Sequence, residues 1–308
     1  MFVVCGEALM DVFAEGETPT GMTMDARIGG SPFNVALGLA RLAKPVSFFG
    51  ALGSGFLGQR LMRALRHEGI GTACTPVIDA PTTLGLVGLD ERGVPSYSFY
   101  GEGCADRLLP MAALERLPAD ARAFHFGSYA MVVEPVAATQ RALVEREHGR
   151  SLIAYDPNIR LNVEPDLQRW RDTLAWMLPR THLLKVSDED LGLLFPGADV
   201  DALARSWLAA GVGLVVVTRG GEGAEAWAAG VHLRSAPQRV TVVDTVGAGD
   251  TFQAALLTWL AERGRLAPQA VRDWTETDLA SALDFAGRAA AITCSRRGAD
   301  LPRRVELD

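Results

Sequence analysis

The chain has 308 residues and a formal net charge of −7, and of its 30 basic residues only Lys44 and Lys185 are lysines. Neither lysine stands in Gly-Lys-Ser/Thr, so there is no P-loop, and the Gly-rich loop and His-Arg-Asp of a protein kinase are absent as well. The acidic balance argues against a nucleic-acid surface, and no apolar run is long enough to span a membrane.

Elements follow in alternation. Phe2–Cys5 reads as a first strand, with no positive flank that would make it a secretion signal. Ser31-Pro32 opens a helix, Ser31 as its N-cap and Pro32 at the first helical position. Val46–Phe49 is a strand, and Phe56–Glu68 a helix stopped by Gly69. Ala123–Phe126, Ser151–Tyr155, His182–Val186 and Leu214–Thr218 are further strands. Between and after them lie helices over Glu134–His148, Leu167–Leu178 and Val200–Ala210. Such alternation predicts βαβ units: an α/β fold with a central, mainly parallel sheet flanked by helices on both faces, as one domain over residues 1–308.

Two segments break the pattern. Val12–Arg27 is rich in Gly, Thr and Glu. Leu84–Leu89 and Val94–Tyr100 flank Asp90–Gly93, which is a hairpin signal. Inserted between α/β units, residues of about 12–28 and 82–101 predict a small β-sheet that could serve as a lid, carrying Tyr97, Phe99 and Tyr100. Those aromatics either touch substrate or bury a face against the lid of a second subunit, giving a homodimer. The four cysteines (Cys5, Cys74, Cys104, Cys294) form no C-x-x-C and read as reduced thiols of a cytoplasmic protein. The five histidines have no metal-ligand spacing.

The strongest chemical signal is Asp244-Thr245-Val246-Gly247-Ala248-Gly249-Asp250, which follows an apolar run, Val240–Val243, and leads straight into an apolar helix. Glycines let backbone approach a ligand closely, and a helix N-terminus with free N–H groups favours an anion, typically a phosphate. A carboxylate placed beside such an anion hole has a use if it is a general base taking the proton of an attacking hydroxyl. As a plain structural feature, Asp250 would be a capping acid. A dinucleotide fingerprint should follow the first strand, where the chain instead reads Cys5-Gly6-Glu7-Ala8-Leu9-Met10-Asp11.

A second cluster is Gly29-Gly30-Ser31-Pro32-Phe33-Asn34-Val35-Ala36. Together the two segments resemble the PfkB, or ribokinase-like, family of carbohydrate kinases. G-G-x-x-x-N-x-A matches Gly29–Ala36, and D-T-x-G-A-G-D matches Asp244–Asp250. Within the family, Gly29–Asn34, Asp156-Pro157-Asn158-Ile159-Arg160 and Lys185-Val186-Ser187-Asp188-Glu189 are most similar to fructokinases.

The resemblance implies roles. Asp250 matches the catalytic base, and Gly247, Ala248 and Gly249 match the anion hole for the transferred phosphoryl group. Asp11, Gly29, Gly30 and Asn34 match sugar contacts, and Arg160 is a candidate for balancing charge or holding an acid sugar. Thr218, Gly220, Gly221 and Gly223 match a nucleotide loop. Asp244 and Val246 match part of a monovalent-cation site, which would be K⁺. The family's N-x-x-E, linked to Mg²⁺ and phosphate, reads Ser187-Asp188-Glu189-Asp190 here, which is also a capping-box pattern. An asparagine frequent near the adenine falls at Gly287, and Pro302 replaces a hydroxyl residue of some relatives. Lys185 falls near the nucleotide side.

The implied reaction is ATP-dependent phosphorylation of a monosaccharide with Mg²⁺, fructose first, with 2-keto-3-deoxygluconate, ribose or a nucleoside as alternatives. From other classes, an NAD(P)-dependent sugar dehydrogenase and a non-catalytic sugar-binding regulator stay open.

Overall fold

The structure is a computed structural model that describes residues 1–89 and 95–308. The expected turn Asp90–Gly93, Val94 and the side chain of Tyr97 lie outside the described residues. The chain begins β1 (Phe2–Cys5), β2 (Leu9–Thr18), β3 (Gly21–Gly29), α1 (Ser31–Arg41), β4 (Val46–Phe49), β5 (Leu52–Gly53), α2 (Phe56–His67) and β6 (Val77–Ile78). Next come β7 (Leu84–Leu89), β8 (Pro95–Tyr100), β9 (Ala123–Gly127), α3 (Val136–Glu147), β10 (Leu152–Asp156), α4 (Leu167–Met177), β11 (Leu183–Ser187) and α5 (Asp188–Leu194). The remainder is α6 (Val200–Ala209), β12 (Leu214–Thr218), β13 (Ala224–Ala228), β14 (Val231–Ser235), α7 (Ala248–Glu262) and α8 (Glu276–Cys294).

The main sheet has the order β14-β13-β12-β11-β10-β9-β1-β4. Its pairs from β4 to β12 are parallel, and β13 and β14 add antiparallel at one edge. Strand alternation divides the core. Phe2, Val4, Leu214 and Val216 face one apolar cluster, and Val3, Cys5, Val215 and Val217 face another. Strands buried on both faces need apolar residues at nearly every position, which explains runs such as Leu-Val-Val-Val in β12.

A separate four-stranded sheet has the order β3-β2-β7-β8. Both unusual sequence segments belong to it. It starts earlier than the sequence pattern indicates, at Leu9, so Asp11 lies within a strand. The run Val240–Val243 is not a strand. Val242 and Val243 are 59% and 61% exposed.

Ser31 corrects the sequence reading. Gly30, at φ +103°, is the N-cap of α1, Ser31 is the first helical residue, and no side chain caps the helix. The Ser31 hydroxyl is spent on α7 instead, as described below.

Helices α1 and α7 cross at Gly38 and Ala254. A Cβ on Gly38 would stand 2.6 Å from the Ala254 Cβ and 2.7 Å from Leu301 Cδ2. One helical turn towards the N-terminus from this crossing lie Asn34 on α1 and Asp250 on α7, so the glycine sets how closely the two approach. Gly38→Ala gains about 1 kcal/mol in helix propensity, but overpacking of this kind costs roughly 1–3 kcal/mol. Its thermal unfolding midpoint should fall and its turnover should drop. A midpoint equal to or above that of the parent protein contradicts the tight-crossing argument.

Candidate active site

The carboxyl ends of the parallel strands converge on one edge. Gly6-Glu7 follows β1, Ser128 follows β9, Asp156 ends β10, Ser187 ends β11 and Thr218 ends β12. In open α/β sheets this edge is where ligands bind. The N-terminus of α7 points at it. Gly247 is its N-cap in the left-handed region (φ +79°), and a Cβ there would sit 2.7 Å from the Ala299 Cβ. Glycine is therefore required by both backbone and space. The first-turn amides of a helix have no intrahelical acceptor, which leaves the Gly247–Gly249 turn positively polarised; within it Ala248 N donates to the Thr245 carbonyl at 3.2 Å.

Asp250 stands in the first turn of α7 and is only 7% exposed. It does not cap its own helix. Ser31 Oγ donates to its Oδ1 at 2.6 Å, and Asn34 Nδ2 donates to its Oδ2 at 2.9 Å. Burial pushes its carboxyl above the ordinary aspartate value, while Ser31, Asn34, Lys185 and Arg160 pull it back. Asn34, expected on the sugar, is held on this carboxylate.

Asp11 is close to the same centre. Burial, opposed by Arg160 and reinforced by the Asp250 charge, lifts its carboxyl to about 6. Its place depends on missing side chains. A Cβ on Gly29 would collide with Asp11 Oδ2, and one on Gly85 would stand 2.9 Å from Oδ1. Gly30 is required because a Cβ would approach the Glu7 carbonyl to 2.8 Å. Arg160 is exposed, donates to the Ile159 carbonyl at 2.9 Å, and acts electrostatically on Glu7, Asp11, Asp190 and Asp250.

On the opposite side, Ser187 caps α5 by accepting from Asp190 N at 3.0 Å. The reciprocal half of a capping box is missing. Asp190 Oδ1 instead accepts from Ile159 N at 3.1 Å, joining α5 to the loop after β10. Burial lifts Asp190 to about 6. Lys185 is 3% exposed, its Nζ 2.8 Å from Asp156 Oδ2, and a Cβ on Gly249 would come within 3.1 Å of it. Burial works against its charge, but Asp156, then Asp250 and Asp190, hold the ammonium above its ordinary value.

Thr218–Gly223 forms a tight turn after β12, with Gly220 at φ +48° and Gly223 at φ +92°; Gly220 and Gly221 are exposed. Asp244 clips the glycine turn to the C-terminal loop: Val246 N donates to Oδ1 at 3.0 Å and Gly298 N to Oδ2 at 2.8 Å. Gly287, on α8, faces the Gln238 side chain. Among the described residues no three His, Cys, Asp or Glu side chains are grouped to hold a metal ion.

Sequence reasoning missed four contributors: Ser31 as a partner of Asp250, Asn158 behind it, Gly85 beneath Asp11, and Glu7. The signal for Asn158 stood in Asp156–Arg160, of which only the arginine was singled out. Glu7 is 1% exposed with Oε2 unpartnered, and burial pushes its carboxyl up to about 8, against the pull of Ser128 and Arg160. In the unfolded chain it ionises near its reference value of 4.5. Between these values the native state binds the extra proton, so stability falls as pH rises, by at most about 1.4 kcal/mol per pH unit. Denaturant midpoints at pH 5 and pH 8 should therefore diverge less for Glu7→Gln than for the parent protein. Equal losses in both proteins contradict the buried-carboxyl assignment.

The family model of pfkB family carbohydrate kinases matches residues 1–305. A fructokinase of Rhizobium leguminosarum bv. trifolii is 35% identical over 304 residues, covering 99% of this chain and 91% of the relative. Among solved structures, fructokinase with bound ATP from Xylella fastidiosa superposes with a TM-score of 0.89 at 28% identity, over 99% of this chain and 96% of that one. Fructokinase from Vibrio cholerae, solved with fructose, ADP and calcium, superposes at 0.80 with 25% identity, over 99% and 97%. With its glycine turn, its buried aspartate and its full-length match to that model, the chain belongs to the pfkB family of carbohydrate kinases.

Proposed function

We propose that this chain is a fructokinase, which transfers the γ-phosphate of ATP to the 6-hydroxyl of fructose. The observation that carries this reading is Asp250. It is desolvated, lies at the mouth of the α7 glycine turn, and shares the electrostatic field of Arg160 with Asp11. A base placed there serves a hydroxyl on one side and a phosphoryl group on the other. The fructokinase relatives and superposed structures support fructose as the acceptor.

Asp11, Gly29, Gly30 and Asn34 hold the sugar. Asp11 accepts from its hydroxyls, Gly29 leaves the space in which the Asp11 carboxylate sits, and Gly30 lets the chain pass close to the Glu7 carbonyl. Asn34 Nδ2 has two hydrogens, so it can keep one on Asp250 and give one to the sugar. Asp250 then takes the proton as the hydroxyl oxygen attacks the γ-phosphorus, the bond from that phosphorus to the β–γ bridging oxygen breaks, and ADP leaves. The charge that develops on the transferred group meets the amides of Gly247, Ala248 and Gly249. Thr218, Gly220, Gly221 and Gly223 cradle the nucleotide, and Ser187 anchors α5 beside it.

Mg²⁺ carried by the nucleotide would neutralise phosphate charge, and Asp190, whose Oδ1 accepts from Ile159 N and whose Oδ2 keeps acceptor capacity, fits a role facing its hydration shell. Each oxygen of Asp244 accepts a single backbone N–H and keeps acceptor capacity, so Asp244 with the backbone of Val246 fits a K⁺ ion. The small sheet acts as the lid, whose closure excludes water and limits ATP hydrolysis. Its exposed Met22, Met24 and Tyr100 suit contact with the lid of a second copy.

ADP release with Mg-ATP, measured across fructose, ribose, 2-keto-3-deoxygluconate, tagatose and adenosine, tests the acceptor. Fructose should give a kcat/KM at least about tenfold above each of the others, the scale of one hydrogen bond of about 1.4 kcal/mol. Equal, weak turnover on all five contradicts a dedicated fructokinase. In the same assay Asp250→Asn should stay folded and lose about 10²–10⁴ in kcat. Near-parental turnover contradicts the base assignment.

A further inference from the structure

We infer that Asn158 and Ser31 form a hydrogen-bond chain of fixed direction that ends on Asp250 Oδ1 and leaves Oδ2 of the same carboxylate to receive the substrate proton. This rests on the reading of Asp250 as the base. Asn158 Nδ2 lies 3.0 Å from Ser31 Oγ, and Ser31 Oγ lies 2.6 Å from Asp250 Oδ1. The three residues come from the loop after β10, the first turn of α1 and the first turn of α7, 127 and 219 positions apart in sequence.

Proton counting fixes the direction. A carboxylate only accepts, and a serine hydroxyl has one hydrogen, so Ser31 donates to Asp250 and its oxygen must accept from its other neighbour. An amide nitrogen only donates, which suits Asn158 Nδ2. Turning the Asn158 amide over would set two acceptors, Asn158 Oδ1 and Asp250 Oδ1, against the single Ser31 hydrogen. That arrangement leaves one pair repelling, so the amide orientation follows from chemistry alone. Asn158 reaches this position from the left-handed region (φ +43°), which asparagine tolerates better than most residues.

The two carboxylate oxygens are thereby made unequal. Oδ1 holds a short bond from a hydroxyl that cannot turn away. Oδ2 holds the longer bond at 2.9 Å from Asn34, a residue whose second hydrogen is free for the sugar. An incoming hydroxyl competes more easily at Oδ2. The chain also stabilises the charged form of Asp250, because hydrogen bonds to a carboxylate lower its pKa against burial. Other groups facing Asp250 are Asn34 on α1, Asp11 on β2, Arg160 after β10 and Lys185 on β11, and they remain in place in the variants below. Ser31 and Asn158 are positioning residues; they act through Asp250.

The test is the pH profile of kcat with fructose and Mg-ATP for Ser31→Ala, Asn158→Ala, the double variant and Ser31→Thr. Ser31→Ala should lower kcat about tenfold or more, on the scale of a hydrogen bond to a charged group, and move the acid limb to higher pH, with little change in the KM for fructose. Asn158→Ala should give a smaller shift of the same sign. The double variant should match Ser31→Ala, because Asn158 acts only through the hydroxyl. Ser31→Thr, which keeps the hydroxyl, should restore the parental limb. An unmoved limb in Ser31→Ala overturns the inference, and so do effects that multiply in the double variant. Asp250→Asn separates the two levels of the argument. If it is inactive while Ser31→Ala is unchanged, the chain fails and the base stands; if it is active, the base assignment fails and the chain falls with it.

Discussion

The site depends on how closely two helices approach. Ser31 and Asn34 on α1 reach Asp250 on α7 only because Gly38 meets Ala254 one turn further along, with no side chain between them. Helix packing is stiff, since interiors are close-packed and do not deform continuously. A contact between small residues therefore works as a positioning device for the aspartate. The requirement extends outward: Gly29 and Gly85 clear space for Asp11, and Gly247 clears space against Ala299. Much of this site is built by leaving side chains out.

A second constraint is charge. Glu7, Asp11, Asp190 and Asp250 all lie in or beside the centre, and burial raises every one of them above its ordinary value. The compensating cations are few. Lys185 is buried on Asp156 directly beneath Gly249, and Arg160 is exposed at the rim. Under the proposed function, such a centre would gain positive charge when a nucleotide arrives with its metal ion. A chain with two lysines would then manage phosphate chemistry without a P-loop lysine, through the α7 amides, that metal ion and the field of the buried Lys185.

Much of the fold was legible because the strands follow the period and composition rules of a parallel sheet. Phe2–Cys5, Val46–Phe49 and Leu214–Thr218 lie where their apolar runs place them. The glycine turn was legible because its residue types have few other uses in that order. What could not be read were partners fixed by tertiary approach. Ser31 looks like an N-cap from its neighbours, and only the position of α7, more than two hundred residues away, gives its hydroxyl another use. Val240–Val243 has the composition of a strand but finds no strand to pair with. Asp190 has the spacing of a capping box, yet it bonds the loop after β10 because that loop brings Ile159 N within reach.

The most direct test of the central claim is a structure of the chain with fructose and a non-hydrolysable ATP analogue. The fructose 6-hydroxyl should lie on Asp250 Oδ2, with Ser31 still on Oδ1 and the terminal phosphate against the Gly247–Gly249 turn. A 6-hydroxyl bound at Asp11 or Glu7 instead, with Asp250 still closed onto Asn34 and Ser31 and out of reach of the sugar, would contradict that claim.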